Sequence, residues 1–362
     1  MNQAGLETAC SSAMAPQALE RALALPARCY TDAAIALTER HAVFGRGWQL
    51  IAHQTELAQI GSYLARDLAG LPVVLLRDDS GALRCYHNVC RHRAGPVAQG
   101  QGCARRLRCR YHGWSYGLDG QLLSATDMND AVDFDPAQIR LPELELAIWQ
   151  GLVFVSEAPA VPLAAVVAGM DERLGGRRLD GYRHHRQVRY PMDCNWKVYV
   201  DNYLEGYHVP HLHPGLNQLL DYRSYITTTA AWHSCQYSPM ESGLYGDGDA
   251  LYWYLWPNTM LNSLPDRLQT NRVLPLGVDR CEVVFDFYYP ADPADPTAQA
   301  RCQADVDFSD EVQAEDAEIC LAVQRGLASG GYAPGRLNPR WENALHHFHE
   351  VLRAAYGGKS LF

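Results

Sequence analysis

The 362-residue chain has no apolar run that approaches the roughly 20 residues a membrane-spanning helix needs. A surplus of positive charge is also missing: 31 Lys and Arg against 41 Asp and Glu leave a formal charge of -10 at pH 7. That balance argues against nucleic acid and anionic membrane as partners. The first residues, MNQAGLETACSSAMAPQALERAL, carry Glu7 early and no basic segment followed by an apolar one. They read as the lead-in to a helix and not as an export signal. Internal repeats are absent. The 11 cysteines are scattered, without the density of a small secreted scaffold. Mostly buried thiols in a cytoplasmic protein are therefore expected. What is present is an ordinary globular balance, 48% hydrophobic and 20% charged, in a chain long enough for two domains.

Residues 16 to 45 read as helix, broken at Pro26 and resuming after a Thr31 cap. From Trp48 the pattern changes to short runs such as WQLIAH, LPVVLLRD and ALRCYHN, bounded by Gly, Asp or Pro, which describes a small all-β domain of hairpins. GLVFVSEAP (151–159) is its last strand, followed by a short helical linker and the basic stretch YRHHRQVR, whose His184 and His185 read as surface or linker residues. Beyond lie strands such as LYWYLWP and CEVVFDFYYP and helices over about 307–329 and 340–355. The second domain is thus α+β around an antiparallel sheet.

The stretch CRHRAGPVAQGQGCARRLRCRYHGW (90–114) pairs Cys90 with His92 and Cys109 with His112. Two Cys and two His also make a structural zinc site, but zinc fingers pair Cys with Cys and carry their histidines on a helix. Here each tip is mixed and lies among strands and turns. Mixed tips suit a [2Fe–2S] cluster with one iron on two thiolates and the other on two imidazoles. Gly95, Pro96 and Gly113 permit close backbone approach. Cys85, Cys103, His87 and Arg93 fall outside the spacing. Arg105, Arg106, Arg108 and Arg110 read either as the wet face of a strand or as a docking surface for an acidic electron donor.

A second constellation lies in NWKVYVDNYLEGYHVPHLHPGL (195–216). Glu205 and His208 stand one helical turn apart, and Pro210 lets the chain bend so that His213, or in competition His211, reaches the same point. Two imidazoles and a carboxylate leave open positions on iron for oxygen chemistry. The carboxylate is Glu205 or one from the late helix, where Asp316 sits among small and apolar residues. Judged from that helix alone, Asp316 is an exposed residue paired with Arg325 or solvent.

CRH with CRYHGW, followed by the spacing N-x-x-E-x-x-H-x4-H from Asn202 to His213, resembles the catalytic α subunit of Rieske-type non-haem iron oxygenases over essentially the whole chain. The resemblance implies N-terminal helices (1–45) on the catalytic domain, an all-β Rieske [2Fe-2S] domain (46–160) and a catalytic domain with a helix-grip-like antiparallel sheet (161–362). It implies His208, His213 and Asp316 as Fe(II) ligands, with Glu205 joining the cluster histidine His112 to His208. O2 is the implied cosubstrate, with electrons from NAD(P)H through a flavin/iron–sulfur reductase. A homotrimer is implied, the cluster of one subunit reducing the iron of the next. Glu205 stands where aromatic-ring dioxygenases have Asp. With LWPNTMLN, NRVLPLGVDR and EDAEICLAVQRGL, it resembles the branch that oxidises quaternary ammonium compounds: choline, betaine or carnitine. Aromatic-ring or aromatic-acid hydroxylation is the alternative. Tyr203, Tyr207, Tyr225, Trp232, Tyr252, Trp253, Tyr254 and Trp256 are candidates for a cation–π cage or for core.

Overall fold

A computed structural model describes residues 14–219, 224–240, 245, 247–290 and 296–357. The start of the N-terminal lead-in lies outside them. Two compact units emerge, one of residues 45–159 with 178–181, the other of the remaining described residues.

The first unit is built from β1 (Gln49–His53), β2 (Ser62–Leu68), β3 (Leu71–Arg77), β4 (Leu83–His87), β5 (Gln101–Cys103), β6 (Leu107–Arg108), β7 (Ser115–Tyr116), β8 (Leu122–Ser124), β9 (Glu145–Trp149) and β10 (Leu152–Ser156). They form sheets in the orders β1-β10-β9, β4-β3-β2-β5 and β6-β7-β8. β3 explains its own sequence, LPVVLLR, which is apolar without alternation. Successive side chains on a strand point to opposite faces, and both faces of β3 are covered. Val73 and Leu75 pack with Ile51, Leu57 and Val153. Val74 and Leu76 pack with Tyr86, Trp114, Cys90 and Cys109. The second of these cores therefore carries the two Cys–His loops.

The other unit holds a seven-stranded antiparallel sheet. Its strands are β11 (Arg183–Met192), β12 (Ile226–Thr229), β13 (His233–Met240), β14 (Gly248–Leu255), β15 (Thr259–Leu264), β16 (Arg267–Pro275) and β17 (Cys281–Tyr289), in the order β11-β17-β16-β15-β14-β13-β12. His184 and His185 belong to the edge strand β11 and not to a linker; His184 Nε2 lies 3.0 Å from Asp286 Oδ1. Every residue of β11 before Met192 is exposed or half-buried, so neither face imposes apolar alternation and YRHHRQVR does not read as a strand.

The helices of this unit include α1 (Ala33–Glu39), α2 (Trp196–Tyr203), α3 (Val209–Leu212), α4 (Pro214–Leu219), α5 (Pro296–Ala328) and α6 (Asn343–Tyr356). α1 is capped by Asp32, which accepts the Ala34 N–H at 2.8 Å, and not by Thr31. The Thr31 hydroxyl is spent on the Ala27 carbonyl. α5 begins earlier than the sequence pattern suggests.

α1 is tied to α2 through charge. Lys197, one of two lysines in the chain, is fully buried, with Nζ 2.7 Å from Glu39 Oε1. Glu39 also accepts from Trp196 Nε1 at 2.8 Å and from the Tyr356 hydroxyl. Removing one partner of a buried pair strands the other's charge. Glu39→Ala is expected to lower unfolding stability by about 3–5 kcal/mol in denaturant titration. A loss below about 1 kcal/mol would mean that Lys197 is solvated.

All ten described cysteines are free thiols, and all but Cys103 are buried. No helix among the described residues is long and apolar enough to cross a membrane.

Candidate functional site

The two Cys–His tips are built alike. In one, the Cys90 N–H donates to the Gly95 carbonyl and the Ala94 N–H donates back to the Cys90 carbonyl, at 2.8 and 3.0 Å. In the other, the Cys109 N–H donates to the Trp114 carbonyl and the Gly113 N–H to the Cys109 carbonyl, at 2.9 and 3.0 Å. The fifth position of each loop has positive φ, 59° at Ala94 and 76° at Gly113. That conformation is free for glycine and strained for alanine, and it turns each loop back on itself.

The loops bury their thiols and expose their imidazoles. Cys90 and Cys109 are 3% and 2% exposed, whereas His92 is exposed and His112 half-buried. The rings of His92 and His112 face each other with centroids 4.6 Å apart. His92 is fixed by stacking on Trp114 at 4.7 Å. The Tyr116 hydroxyl accepts the Arg91 N–H at 3.0 Å, leaving its own hydrogen for the Cys90 sulfur 3.2 Å away. A Cβ on Gly95 would lie 3.0 Å from Cys109 Sγ, so only glycine leaves that sulfur room. Burial, with the charges of His92 and Arg93, pushes His112 below the usual imidazole range, which favours the neutral, metal-ligating form. Two buried sulfurs behind two outward imidazoles are the donor set a mixed-ligand [2Fe–2S] cluster requires. Cys85 lies in the other core and Cys103 on β5, both outside the set.

The second constellation is assembled differently from the sequence expectation. Glu205 and His208 do not share a helix: α2 ends at Tyr203 and α3 starts at Val209. Glu205 sits in the turn between, where Oε2 accepts the backbone N–H groups of Tyr207 and His208, the latter at 3.1 Å. Gly206 is required there because a Cβ would lie 2.8 Å from the Tyr225 ring. Pro210 falls in the first turn of α3, where its missing N–H is harmless. The turn aims His208 and His213 at Asp316 on α5. One ligand atom from each lies within 4.8 Å of the others, and these three are the only such group among the described residues. His211 is exposed and outside it.

Each imidazole has one nitrogen committed. His208 Nδ1 lies 2.6 Å from Glu205 Oε1, and His213 Nδ1 lies 2.6 Å from Glu315 Oε2. With the Nδ1–H groups donating to carboxylates, both Nε2 lone pairs are left for a metal. His213 Nε2 then faces Asp316 Oδ1 at 3.0 Å, acceptor against acceptor, while Asn202 Nδ2 donates to the same oxygen at 2.6 Å. Two ligands on one cation at about 2.1 Å and a right angle stand about 3 Å apart. A divalent cation therefore resolves the conflict, and the site fits a mononuclear metal. Burial alone would lower the pKa of His213, but Asp316 and Glu315 raise it on balance, a sign that this pocket attracts positive charge.

Glu315 was not singled out from sequence. The signal was its place beside Asp316, but consecutive residues on a helix normally face different ways. The triad opens onto a cavity of about 870 Å³, its mouth included, which Tyr203, Tyr225, Tyr245, Tyr252, Phe285 and Phe308 line in part. Of the candidate aromatics, Trp232, Trp253, Tyr254 and Trp256 are core, and Tyr207 is exposed.

An all-β unit with paired Cys–His tips, and an antiparallel-sheet unit with a two-His, one-carboxylate triad, define a non-haem iron oxygenase. Comparison with known proteins agrees. Residues 47–144 match the Rieske [2Fe-2S] domain, and residues 179–358 match the ring hydroxylating alpha subunit (catalytic domain). The chain belongs to the Rieske ring-hydroxylating oxygenase α subunits, enzymes with a [2Fe-2S] cluster and a mononuclear iron that draw electrons from a separate reductase. It is 36% identical over 355 residues to choline monooxygenase, chloroplastic, of Arabidopsis thaliana, spanning 92% of this chain and 83% of that one. It is 29% identical over 360 residues to the carnitine monooxygenase oxygenase subunit of Escherichia coli (strain K12), spanning 93% and 95%. The solved quaternary ammonium Rieske monooxygenase CntA is similar at TM-score 0.85 and 27% identity, over 93% of this chain and 96% of that chain.

Proposed function

We propose that this oxygenase hydroxylates a small quaternary ammonium compound of the choline, betaine or carnitine kind. The observation that carries the reading is the aromatic cavity into which His208, His213 and Asp316 face. Aromatic faces attract a trimethylammonium group, which has no N–H to donate and loses little by leaving water for such walls. The choline and carnitine monooxygenases named above support it. So does CntA, which has been solved with L-carnitine and with gamma-butyrobetaine.

In this reading His208, His213 and Asp316 hold the mononuclear iron, and Cys90, Cys109, His92 and His112 hold the cluster. O2 activation is the chemistry the iron supplies when bound, with electrons delivered by the cluster. The protein's own residues do the positioning. Glu205 and Glu315 orient the two imidazoles, and Asn202 fixes the Asp316 carboxylate. The aromatic walls place one methyl group toward the triad and keep water from it. On an N-methyl group, O2, two electrons and two protons give an N-hydroxymethyl cation and water. That cation falls apart into the tertiary amine, formaldehyde and a proton. On the carbinol carbon of choline the same stoichiometry gives an aldehyde hydrate.

In CntA electron transfer is inter-subunit. A homotrimer, with Glu205 between a neighbour's His112 and His208, is the arrangement proposed here. Arg105, Arg106, Arg108 and Arg110 are all exposed. As a basic strip they suit an acidic reductase.

The chemically reduced holoenzyme, given choline, glycine betaine or carnitine before air is admitted, is expected to form stoichiometric formaldehyde or aldehyde by mass spectrometry. Hydroxylated product from an aromatic acid, with none from the amines, would reverse the assignment.

A further inference from the structure

The cavity beside the triad holds a cation that the proposed function leaves unused. Arg267 opens β16 and lines the cavity with Gln269 and Asn271 from the same face of the strand. It is 5% exposed and is the only lysine or arginine among the described residues that line the cavity. Its Nε lies 2.8 Å from Asp305 Oδ2, and Nη2 donates to Gln269 Oε1 and, at 3.0 Å, to Ser309 Oγ. The Tyr245 ring lies against the guanidinium, with the ring centroid 5.1 Å from Cζ. Asp305 is itself held by the hydroxyls of Tyr245 and Tyr289 at 2.8 and 2.7 Å. The guanidinium is thus fixed on one edge, while Nη1 makes no hydrogen bond to any described residue.

A fixed, buried guanidinium with one unused donor nitrogen, Nη1, can donate a charged hydrogen bond to a carboxylate oxygen. Its charge is balanced by Asp305, so what it offers a ligand is a directed donor, which a carboxylate can accept and a trimethylammonium group cannot use. The spacing also fits. Ser309, Gln313 and Asp316 line the cavity from one helix, and the seven-residue step from Ser309 to Asp316 rises about 10 Å along its axis. Subtracting about 3 Å for a hydrogen bond and about 3 Å for a methyl carbon approaching its reaction partner leaves roughly 4 Å. That is the reach from an N-methyl carbon to the carboxylate of a short betaine.

We propose that Arg267 is the specificity residue and that the preferred substrate is a zwitterion, with its carboxylate on Arg267 and its trimethylammonium group among the aromatics beside the triad, in preference to choline. This rests on the quaternary-ammonium reading above.

Two measurements on the iron-replete, reduced enzyme test it: anaerobic binding by calorimetry and single-turnover product yield. Glycine betaine or carnitine is expected to bind at least roughly tenfold more tightly than choline, the scale of one charged hydrogen bond. Arg267→Gln combined with Asp305→Asn, which leaves no stranded carboxylate, is expected to lower the carboxylated-to-choline affinity ratio by at least roughly tenfold. Should that variant not fold, the methyl ester of the same substrate probes the wild-type enzyme, and a comparable loss is expected. An ester that binds as well as the acid, or choline bound and turned over in preference, overturns the role of Arg267 and leaves the quaternary-ammonium reading standing. Iron-replete enzyme that binds and oxidises none of the amines overturns that reading and this proposal together.

Discussion

Asp316→Ala is expected to abolish turnover, by on the order of 10³-fold or more, while the protein keeps its cluster. Replacing an outer partner of a metal ligand costs about 10- to 100-fold, and a ligand itself is worth more. Iron should fall by about one per chain with acid-labile sulfide unchanged, since a [2Fe–2S] cluster accounts for two irons and two sulfides. Alanine is the informative choice because asparagine would keep an oxygen in place. The side effect on folding is small: Asp316 is half-buried, and the one donor left without its acceptor is Asn202 Nδ2. His211→Ala is the matched control, an imidazole two residues from His213 but exposed, and it should retain both iron and activity. If Asp316→Ala kept more than about a tenth of wild-type turnover, the carboxylate ligand would have to be sought elsewhere, starting with Glu205. The geometry argues against Glu205, because it lies outside the group that brings ligand atoms of His208, His213 and Asp316 within 4.8 Å of one another, and its Oε1 is bonded to His208 Nδ1. Glu205→Gln should therefore keep the iron.

Cys109→Ser is the second large effect. Iron should fall by about two per chain, sulfide should vanish, and reductase-driven turnover should be lost, since electrons would have no entry. The thiol is buried beside Cys90, and burial raises its pKa in the free protein, so ionisation has to come from metal binding. Ligand binding then contributes folding free energy to this unit, and its loss should open the loops at 90–95 and 109–114 to proteolysis. Cys103→Ser, at an exposed site on β5, should change neither metal content nor rate. Full sulfide content in Cys109→Ser would remove that residue from the ligand set.

The Cys–His tips were legible in the sequence because each is a local object. A mixed pair with one or two residues between its members, and a glycine within three residues of the histidine, closes its own hydrogen-bonded turn. The local pattern left little else for those residues to do. β3 was legible as a strand but not as a wall between two cores, since alternation vanishes when both faces are buried. The aromatic run 252–256 left cage and core open, with core the commoner role for alternating strand aromatics, and most of it is core. On β14 only Tyr252 faces the cavity, while Tyr254 packs edge-on to Phe348, with centroids 5.4 Å apart.

What the sequence determined by itself was the chemistry of the donors: two thiols with two imidazoles in one segment, and two further imidazoles near a glutamate in another. Periodicity also determined the succession of a β unit and an α+β unit. Only the tertiary structure decided which carboxylate faces His208 and His213, why Glu315 stands behind one imidazole as Glu205 stands behind the other, and that Arg267 turns into the same cavity. Asp316 lies more than a hundred residues from His213, and a carboxylate on a long helix has no local signature. Its partner is set by how α5 is held against the sheet and α2, through contacts such as Arg267 with Asp305 and the Tyr199 hydroxyl with Gln313, which join residues far apart in sequence and form no single motif.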